Sequence, residues 1–335
     1  MAKHTATCDE YGRPVSYMRL SVTDRCNLRC IYCRSDKSRD FIPHADILTY
    51  EEMIGLIKLG RELGIEKLRL TGGEPFCRRD FLAFLGMIRE ECPGLDTRMT
   101  TNGVMLAGKA PALKHLGVNM INVSLDTLDA EKFQRVTGFD HHAKVMAGIR
   151  ECIHFGLKVK INVVAMKGIN DDELGDFVDF ARQNPVDVRF IEFMPIGGKT
   201  CWRPESVWRA GEIMESVKPL ADIEPVREEE RNKGPARMYD LKDGRGRIGF
   251  ISPMSDHFCD TCNRLRITSD GRLRTCLFSD REISLRPLIR DPGKGFSAAL
   301  AAMREEIAKK PRGYEILERL ENGSVCDKTM SSIGG

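Results

Sequence analysis

Tyr17-Met18-Arg19-Leu20-Ser21-Val22-Thr23-Asp24-Arg25-Cys26-Asn27-Leu28-Arg29-Cys30-Ile31-Tyr32-Cys33 joins a short strand pattern, Tyr17 to Val22, to three cysteines in the spacing C-x3-C-x2-C. A closed structural metal site uses four protein ligands, whereas a catalytic one keeps a position for substrate. Fe-S clusters, too, are usually held by four thiolates. Three thiolates therefore predict a centre with one open position. Zinc bound by these cysteines and a distant histidine is the rival reading, but the spacing is not the C-x2-C of a zinc knuckle. The motif also follows directly on a strand, at the carboxyl end of a β/α array, where active sites collect. Iron-sulfur is the favoured reading.

Working outward, the chain alternates strand-like runs (17 to 22, 67 to 71, 97 to 101, 119 to 125, 158 to 164 and 186 to 192) with helical patterns (50 to 63, 80 to 91, 105 to 115, 141 to 155 and 171 to 182). Six β/α repeats predict a parallel sheet with helices packed outside. Period alone leaves open whether the sheet stays open or curls into a partial barrel. A strand buried on both faces reads as a nearly continuous apolar run. Here Leu68 and Leu70 alternate with Lys67, Arg69 and Thr71. Val123 and Leu125 alternate with Asn122, Ser124 and Asp126, and Val159, Ile161 and Val163 with Lys158, Lys160 and Asn162, while Arg19 and Ser21 oppose Leu20 and Val22. Successive side chains point to opposite faces, so one face meets the helices and the other lines a wet, charged cavity.

Past residue 195 the pattern breaks at Pro195, Gly197, Gly198, Pro204, Pro219 and Pro225 and at the charge-dense run 227 to 231. A boundary near 220 to 235 is expected, with domains 1–225 and 226–335. The second part reads as strands near 238 to 242, 247 to 251 and 264 to 268, a helix near 295 to 309, and a polar tail ending Ile333-Gly334-Gly335, which composition alone marks as disordered.

Composition bounds the function. The 335 residues are 41% apolar and 30% charged, ordinary for a globular chain, and no apolar run nears the ~20 residues of a membrane helix. The start, Met1-Ala2-Lys3-His4-Thr5, lacks the apolar stretch of a secretory signal, so the cytoplasm is the expected location. Fifty-two basic against forty-nine acidic residues leave +3, too little to argue for nucleic acid or a membrane as partner. Twelve cysteines in such a chain read as metal ligands and buried thiols rather than a disulfide framework. Cys8, Cys77, Cys92, Cys152, Cys201 and Cys326 are scattered and are expected to be small buried residues.

Two further stretches carry chemistry. Thr71-Gly72-Gly73-Glu74-Pro75 follows the second strand, and its paired glycines permit close approach of a ligand to backbone. Cys259-x2-Cys262-x13-Cys276 is a second set of three cysteines, and Asn263-Arg264-Leu265-Arg266 runs within it. On a strand Arg264 and Arg266 point the same way. A zinc ribbon with His257 as fourth ligand is the alternative to a second cluster beside an anion site. Three weaker signals are set aside. Gly198-Lys199-Thr200 lacks the earlier glycine of a phosphate loop, since Phe193 stands there. His141-His142 opens a helix without ligand partners, and Arg34-Ser35 bears only on local loop shape.

The first motif, with the aromatic Tyr32 inside it, resembles the signature of radical S-adenosylmethionine enzymes. That resemblance implies a 4Fe-4S cluster on Cys26, Cys30 and Cys33, whose open iron binds S-adenosyl-L-methionine, with Tyr32, Gly73, Ser124 and Met194 beside that cofactor. The stretch Gly249-Phe250-Ile251-Ser252-Pro253 through Phe258-Cys259 to Cys276-Leu277-Phe278, together with the first motif and the Gly-Gly terminus, resembles the GTP 3',8-cyclases of molybdenum cofactor biosynthesis over nearly the full length. It implies an incomplete (β/α)6 TIM-like barrel with a smaller C-terminal α+β region, and a second 4Fe-4S cluster on Cys259, Cys262 and Cys276 that binds guanine. Arg19, Arg69, Thr100, Lys160, Arg264 and Arg266 would contact the triphosphate and ribose, with Arg264 and Arg266 in the catalytic role and the tail reaching into the site. Arg34-Ser35 departs from the family's usual Met-Pro. The implied reaction is radical rearrangement of GTP to (8S)-3',8-cyclo-7,8-dihydroguanosine 5'-triphosphate, a lyase step. Its implied partners are an electron donor such as flavodoxin or ferredoxin, the downstream cyclic pyranopterin monophosphate synthase and a second copy in a homodimer, with no membrane and no nucleic acid. The rivals are a radical S-adenosylmethionine peptide maturase with an auxiliary cluster and, from another class, a zinc-stabilised nucleic-acid-binding protein.

Overall fold

The computed structural model describes residues 6–33, 41–197, 201–226, 234–318, 326 and 328–334. The readings made of Arg34-Ser35, Gly198-Lys199-Thr200, the run 227 to 231 and Gly335 lie outside these residues. The strands are β1 Tyr17–Ser21, β2 Lys67–Thr71, β3 Asp96–Thr101, β4 Met120–Ser124, β5 Lys158–Ala165 and β6 Val186–Glu192. The later ones are β7 Ile223–Pro225, β8 Arg237–Leu241, β9 Arg247–Ile251, β10 Arg264–Ile267, β11 Arg272–Arg274 and β12 Ile283–Ser284.

All twelve form one sheet in the order β12-β11-β10-β1-β2-β3-β4-β5-β6-β9-β8-β7, so it is an open, partial barrel. The six β/α strands lie side by side and parallel. The C-terminal part extends them on both edges, with β10 parallel to β1 and β9 parallel to β6. Strands from both sides of residue 226 thus share the sheet, β7 pairing with β8 across it.

Two helices differ from the sequence reading. The helix expected from 105 begins instead at Ala110 and runs to His115, because Gly108 takes a positive φ of 79° and Pro111 fits only a first helical turn. A helix not foreseen, Ala130–Thr137, follows β4. Asp129 caps it by accepting from the Lys132 N–H at 2.6 Å, and Gly138 ends it at φ 80°.

The main core gathers the apolar strand residues Met18, Leu20, Leu68, Leu70, Val123, Ile161 and Val188 under helix residues such as Leu56, Phe84 and Phe177. A smaller cluster of Ile196, Phe278, Cys326 and Ile333 holds the C-terminal segment, where a short helix, Met330–Ile333, replaces the disorder expected from composition. No described helix is long and apolar enough to cross a membrane.

Candidate active site

The other face of the sheet opens on one cavity, and the two cysteine triads line its two ends. Cys26, Cys30 and Cys33 follow the carboxyl end of β1. Cys262 immediately precedes Asn263 and β10, and the register pairs Tyr17 with Arg264. Since β10 runs parallel to β1, the second triad sits at the opposite, amino end of the strands. Tyr17 to Ser21 spans four residue steps of ~3.3 Å, so roughly 13 Å of strand lies between the two levels.

The loop bearing the first triad is fixed from below. Gly73 donates to the Thr23 carbonyl at 2.7 Å and Glu74 to that of Arg25 at 2.8 Å. A Cβ on Gly72 would lie 2.6 Å from the Thr23 oxygen, and one on Gly73 would lie 2.3 Å from the Arg25 oxygen. The paired glycines, read from sequence as room for a ligand, are required first by the cysteine loop packed against them. Glu74 is fully buried and accepts from Thr101 Oγ1, Asn102 N and Phe76 N. Burial pushes its carboxyl up to about 7 against those three donors. Asn102 in turn donates to Cys26 Sγ at 3.5 Å and to Asn27 Oδ1 at 2.8 Å. Beside the triad Tyr32 donates to Asp126 Oδ2 at 2.7 Å and meets Phe193 edge-on, next to Met194 and Ser124 on the same wall.

Between the triads the wall is cationic. Ten Arg and Lys side chains line the cavity against two carboxylates, Asp126 and Glu192. The register sets Arg266, Arg19, Arg69 and Arg98 side by side on four adjacent strands, an arrangement in which like charges opposite one another are destabilising. Burial and its neighbours Arg19 and Arg264 hold Arg266 well below the usual arginine range. Burial lowers Arg19 to about 10 and Arg189 to about 9, Arg69 adding to both. Lys160 is lowered by burial to about 8 although it pairs with Asp187 at 2.9 Å. Tyr17 accepts from Arg69, and although burial acts to raise its phenol, Arg69 and Arg19 bring it down to about 8. Thr71 Oγ1, Thr100 Oγ1 and Asn122 Oδ1 are buried on this wall and have no hydrogen-bond partner among the described residues. A site so furnished fits a buried polyanion bearing several acceptor oxygens.

At the other end, Cys262 Sγ accepts from Arg264 Nη2 at 3.4 Å and Lys310 Nζ at 3.5 Å. Burial acts to raise this thiol, but the two cations bring it to about 6. Gly313 leaves the space beside the sulfurs: a Cβ there would lie 3.0 Å from Cys276 Sγ and 3.7 Å from Cys259 Sγ. At the first end burial, then Asp126 and the neighbouring cysteines, pushes the Cys30 thiol well up, a repulsion that a cationic centre relieves. Both donor sets therefore fit a thiolate-held iron-sulfur cluster. Among the described residues no three His, Cys, Asp or Glu side chains gather as they would on one metal ion. His257, the fourth zinc ligand of the alternative reading, instead turns Nδ1 to the Pro253 carbonyl at 2.7 Å and stacks on Tyr314.

The tail enters the cavity region. The Gly334 carbonyl accepts from Arg266 Nη1 at 2.9 Å, and its positive φ of 72° sets it against Ser21 and Thr71 at the ends of β1 and β2.

Every residue singled out from sequence for cluster, cofactor or substrate lies on this cavity: the six cysteines, Tyr32, Gly73, Ser124, Met194, Arg19, Arg69, Thr100, Lys160, Arg264 and Arg266. Lys158, counted on the polar face, is exposed outside it. Of the scattered cysteines Cys92, Cys152 and Cys326 are buried, whereas Cys8 and Cys201 are exposed, a correction that follows from their lying in surface segments away from the sheet core. Sequence reasoning missed Lys67, Arg98, Arg189 and Lys310 as cavity cations. The signal for Arg189 was present, since Asp187 and Arg189 alternate with Val186, Val188 and Phe190.

Residues 20–181 match the radical SAM superfamily and residues 186–316 match Molybdenum Cofactor Synthesis C. A GTP 3',8-cyclase of Alkaliphilus oremlandii is 41% identical over 328 residues, covering 98% of this chain and 99% of that one. A GTP 3',8-cyclase of Listeria monocytogenes is 40% identical over 337 residues, covering 98% of each. The structure of Streptococcus suis SuiB bound to S-adenosylmethionine shares the fold at a TM-score of 0.59 and 15% identity, over 94% of this chain and 76% of that one.

Proposed function

The chain belongs to the GTP 3',8-cyclase family, and on that premise we propose that its cationic wall grips the triphosphate of GTP while the two cysteine triads stand at the two ends of the nucleotide. The carrying observation is the run Arg266, Arg19, Arg69 and Arg98 on adjacent strands, a row that a bound polyanion neutralises. Arg264, Thr100 and Lys160 complete this set toward phosphate and ribose. Arg264 and Arg266 carry the catalytic part by holding the nucleotide in reacting orientation, for which arginine's planar fork on phosphate oxygens is suited.

Cys26, Cys30 and Cys33 would hold a 4Fe-4S cluster whose open iron takes S-adenosylmethionine. Tyr32, Ser124 and Met194 would line the nucleoside end of that cofactor, and Gly73 would sit near its methionine end. Cys259, Cys262 and Cys276 would hold the second 4Fe-4S cluster against the guanine. When bound, the reduced cluster and S-adenosylmethionine supply a carbon radical able to remove hydrogen from C3' of the ribose, which lets C3' join C8 of guanine. The protein's share is to neutralise the polyanion, fix the distance between ribose and radical source, and exclude water from the closed cavity. The Gly334 carbonyl on Arg266 would help to orient that guanidinium.

The proposal extends to a flavodoxin or ferredoxin as the low-potential electron donor, to cyclic pyranopterin monophosphate synthase as consumer of the product, to a cytoplasmic homodimer, and to residues 1–225 and 226–335 as its two functional parts. A peptide substrate, as in the maturases, would leave the arginine row without its counter-anion. The test is anaerobic incubation with reductant, S-adenosylmethionine and GTP, which should yield 5'-deoxyadenosine and the 3',8-cyclised nucleotide. Cys259→Ala should lose cyclisation while keeping some cofactor cleavage, and cyclisation at the wild-type rate would overturn the role given to the second triad.

A further inference from the structure

Lys310 lies after the helix Gly295–Ala308 and is 1% exposed. An ammonium so placed is costly unless paired, yet among the described residues it forms no ion pair with a carboxylate. Its Nζ donates instead to the Thr275 carbonyl at 2.7 Å and to Cys262 Sγ at 3.5 Å. The position is held from elsewhere in the chain. Arg13, 4% exposed, donates Nη1 to the Cys259 carbonyl at 2.8 Å and Nη2 to the carbonyls of Lys310 at 2.6 Å and Pro311 at 3.2 Å, while its Nε pairs with Asp9 at 2.6 Å. One buried arginine therefore ties the backbone of Lys310 to the loop of the second triad. The ammonium is aimed at a ligand sulfur by construction.

We propose that Lys310 is a positioning residue that tunes the second metal centre, its positive charge on Cys262 Sγ raising the reduction potential of the cluster held by Cys259, Cys262 and Cys276. Hydrogen bonds and charge at cluster sulfurs are recognised determinants of potential, and a cation at the thiolate stabilises the reduced, more negative state. Arg264 shares the sulfur but also faces the nucleotide wall, whereas both described partners of Lys310 Nζ belong to the triad's own segment. The inference rests on reading the second triad as an iron-sulfur site.

The test uses the full chain with Cys26→Ala, Cys30→Ala and Cys33→Ala, so that only the second triad can be loaded, followed by a potentiometric titration monitored by electron paramagnetic resonance. Lys310→Met is expected to keep the parent's iron and sulfide and to shift the midpoint to lower potential, and Lys310→Arg to hold it near the parent's value. A loaded Lys310→Met protein with an unmoved midpoint overturns the inference, as does a loss of iron that Lys310→Arg fails to restore, which would mark a packing role. A parent that takes up no iron overturns the reading of the triad itself, and the inference with it.

Discussion

Replacing Arg189 by methionine should make the nucleotide-free protein more stable and its response to GTP weaker. Arg189 is 6% exposed, its Nη2 donates to Asn162 Oδ1 at 2.5 Å, and its Nε has no partner among the described residues. Burial and then Arg69 lower its guanidinium from 12.5 to about 9, which at ~1.36 kcal/mol per pKa unit is a strain of roughly 5 kcal/mol. A base whose folded pKa is depressed bears that strain in full at neutral pH and loses it only as pH rises above about 9, so an assay near pH 7.5 sees all of it. Methionine keeps the aliphatic stem but gives up the hydrogen bond to Asn162, worth about 1.5 to 3 kcal/mol for a charged donor. The net gain is about 2 to 3 kcal/mol, within the range seen when buried charges are replaced by apolar groups. That should move the midpoint of a thermal scan upward by roughly 5 °C. Losing a buried phosphate contact of ~2 kcal/mol should raise the Kd for GTP roughly 30-fold. At a GTP concentration ~100 times the wild-type Kd, stabilisation by ligand should fall from about 2.7 to about 0.8 kcal/mol. Anaerobic scanning calorimetry at fixed rate, with and without GTP, reads both effects. A variant that melts lower without GTP, or keeps the full GTP shift, refutes the reasoning.

Two other outcomes follow from the same wall and its supports. Lys160, lowered to about 8 in the nucleotide-free site, should regain its proton beside a triphosphate, so GTP binding near pH 9 should take up protons, and less so in Lys160→Met; calorimetry in buffers of different ionisation enthalpy that finds no uptake would count against a phosphate at this residue. Gly73→Ala places a Cβ 2.3 Å from the Arg25 carbonyl and should displace the first cysteine loop, cutting iron and sulfide to about half with the second centre's spectrum retained; full loading would show that the loop does not depend on that contact.

Much of this architecture was legible because it is written in local period. The alternation of Lys67, Arg69 and Thr71 with Leu68 and Leu70 marks a strand whose two faces meet different media, and six such strands admit few arrangements. What escaped is non-local. That β10 would pair with β1 in parallel, setting Arg266 beside Arg19 and the second triad at the far end of the cavity, depends on residues some 247 positions apart. The pairing of Arg274 with Glu282, which also accepts from Arg272 and Lys328 and so moors the tail, joins elements too short to show a period. The helix Ala130–Thr137 buries apolar Phe133 and Val136 as well as Lys132 and Thr137, so its periodic signal is faint, although Asp129 and Gly138 marked both ends. Arg98 was hidden by its neighbours Asp96 and Thr100, a polar run typical of an exposed strand, with the Asp96 pair at 2.7 Å reinforcing that surface look.

The central claim is that this cavity sets C3' of GTP against the radical source, and the most direct measurement follows that hydrogen. The reconstituted protein is incubated anaerobically with reductant, S-adenosylmethionine and GTP carrying deuterium at C3', and 5'-deoxyadenosine is analysed by mass spectrometry. The account predicts that the deuterium appears in 5'-deoxyadenosine alongside the cyclised nucleotide, and that both fall together in Arg266→Ala. Unlabelled 5'-deoxyadenosine formed together with cyclised product would contradict it.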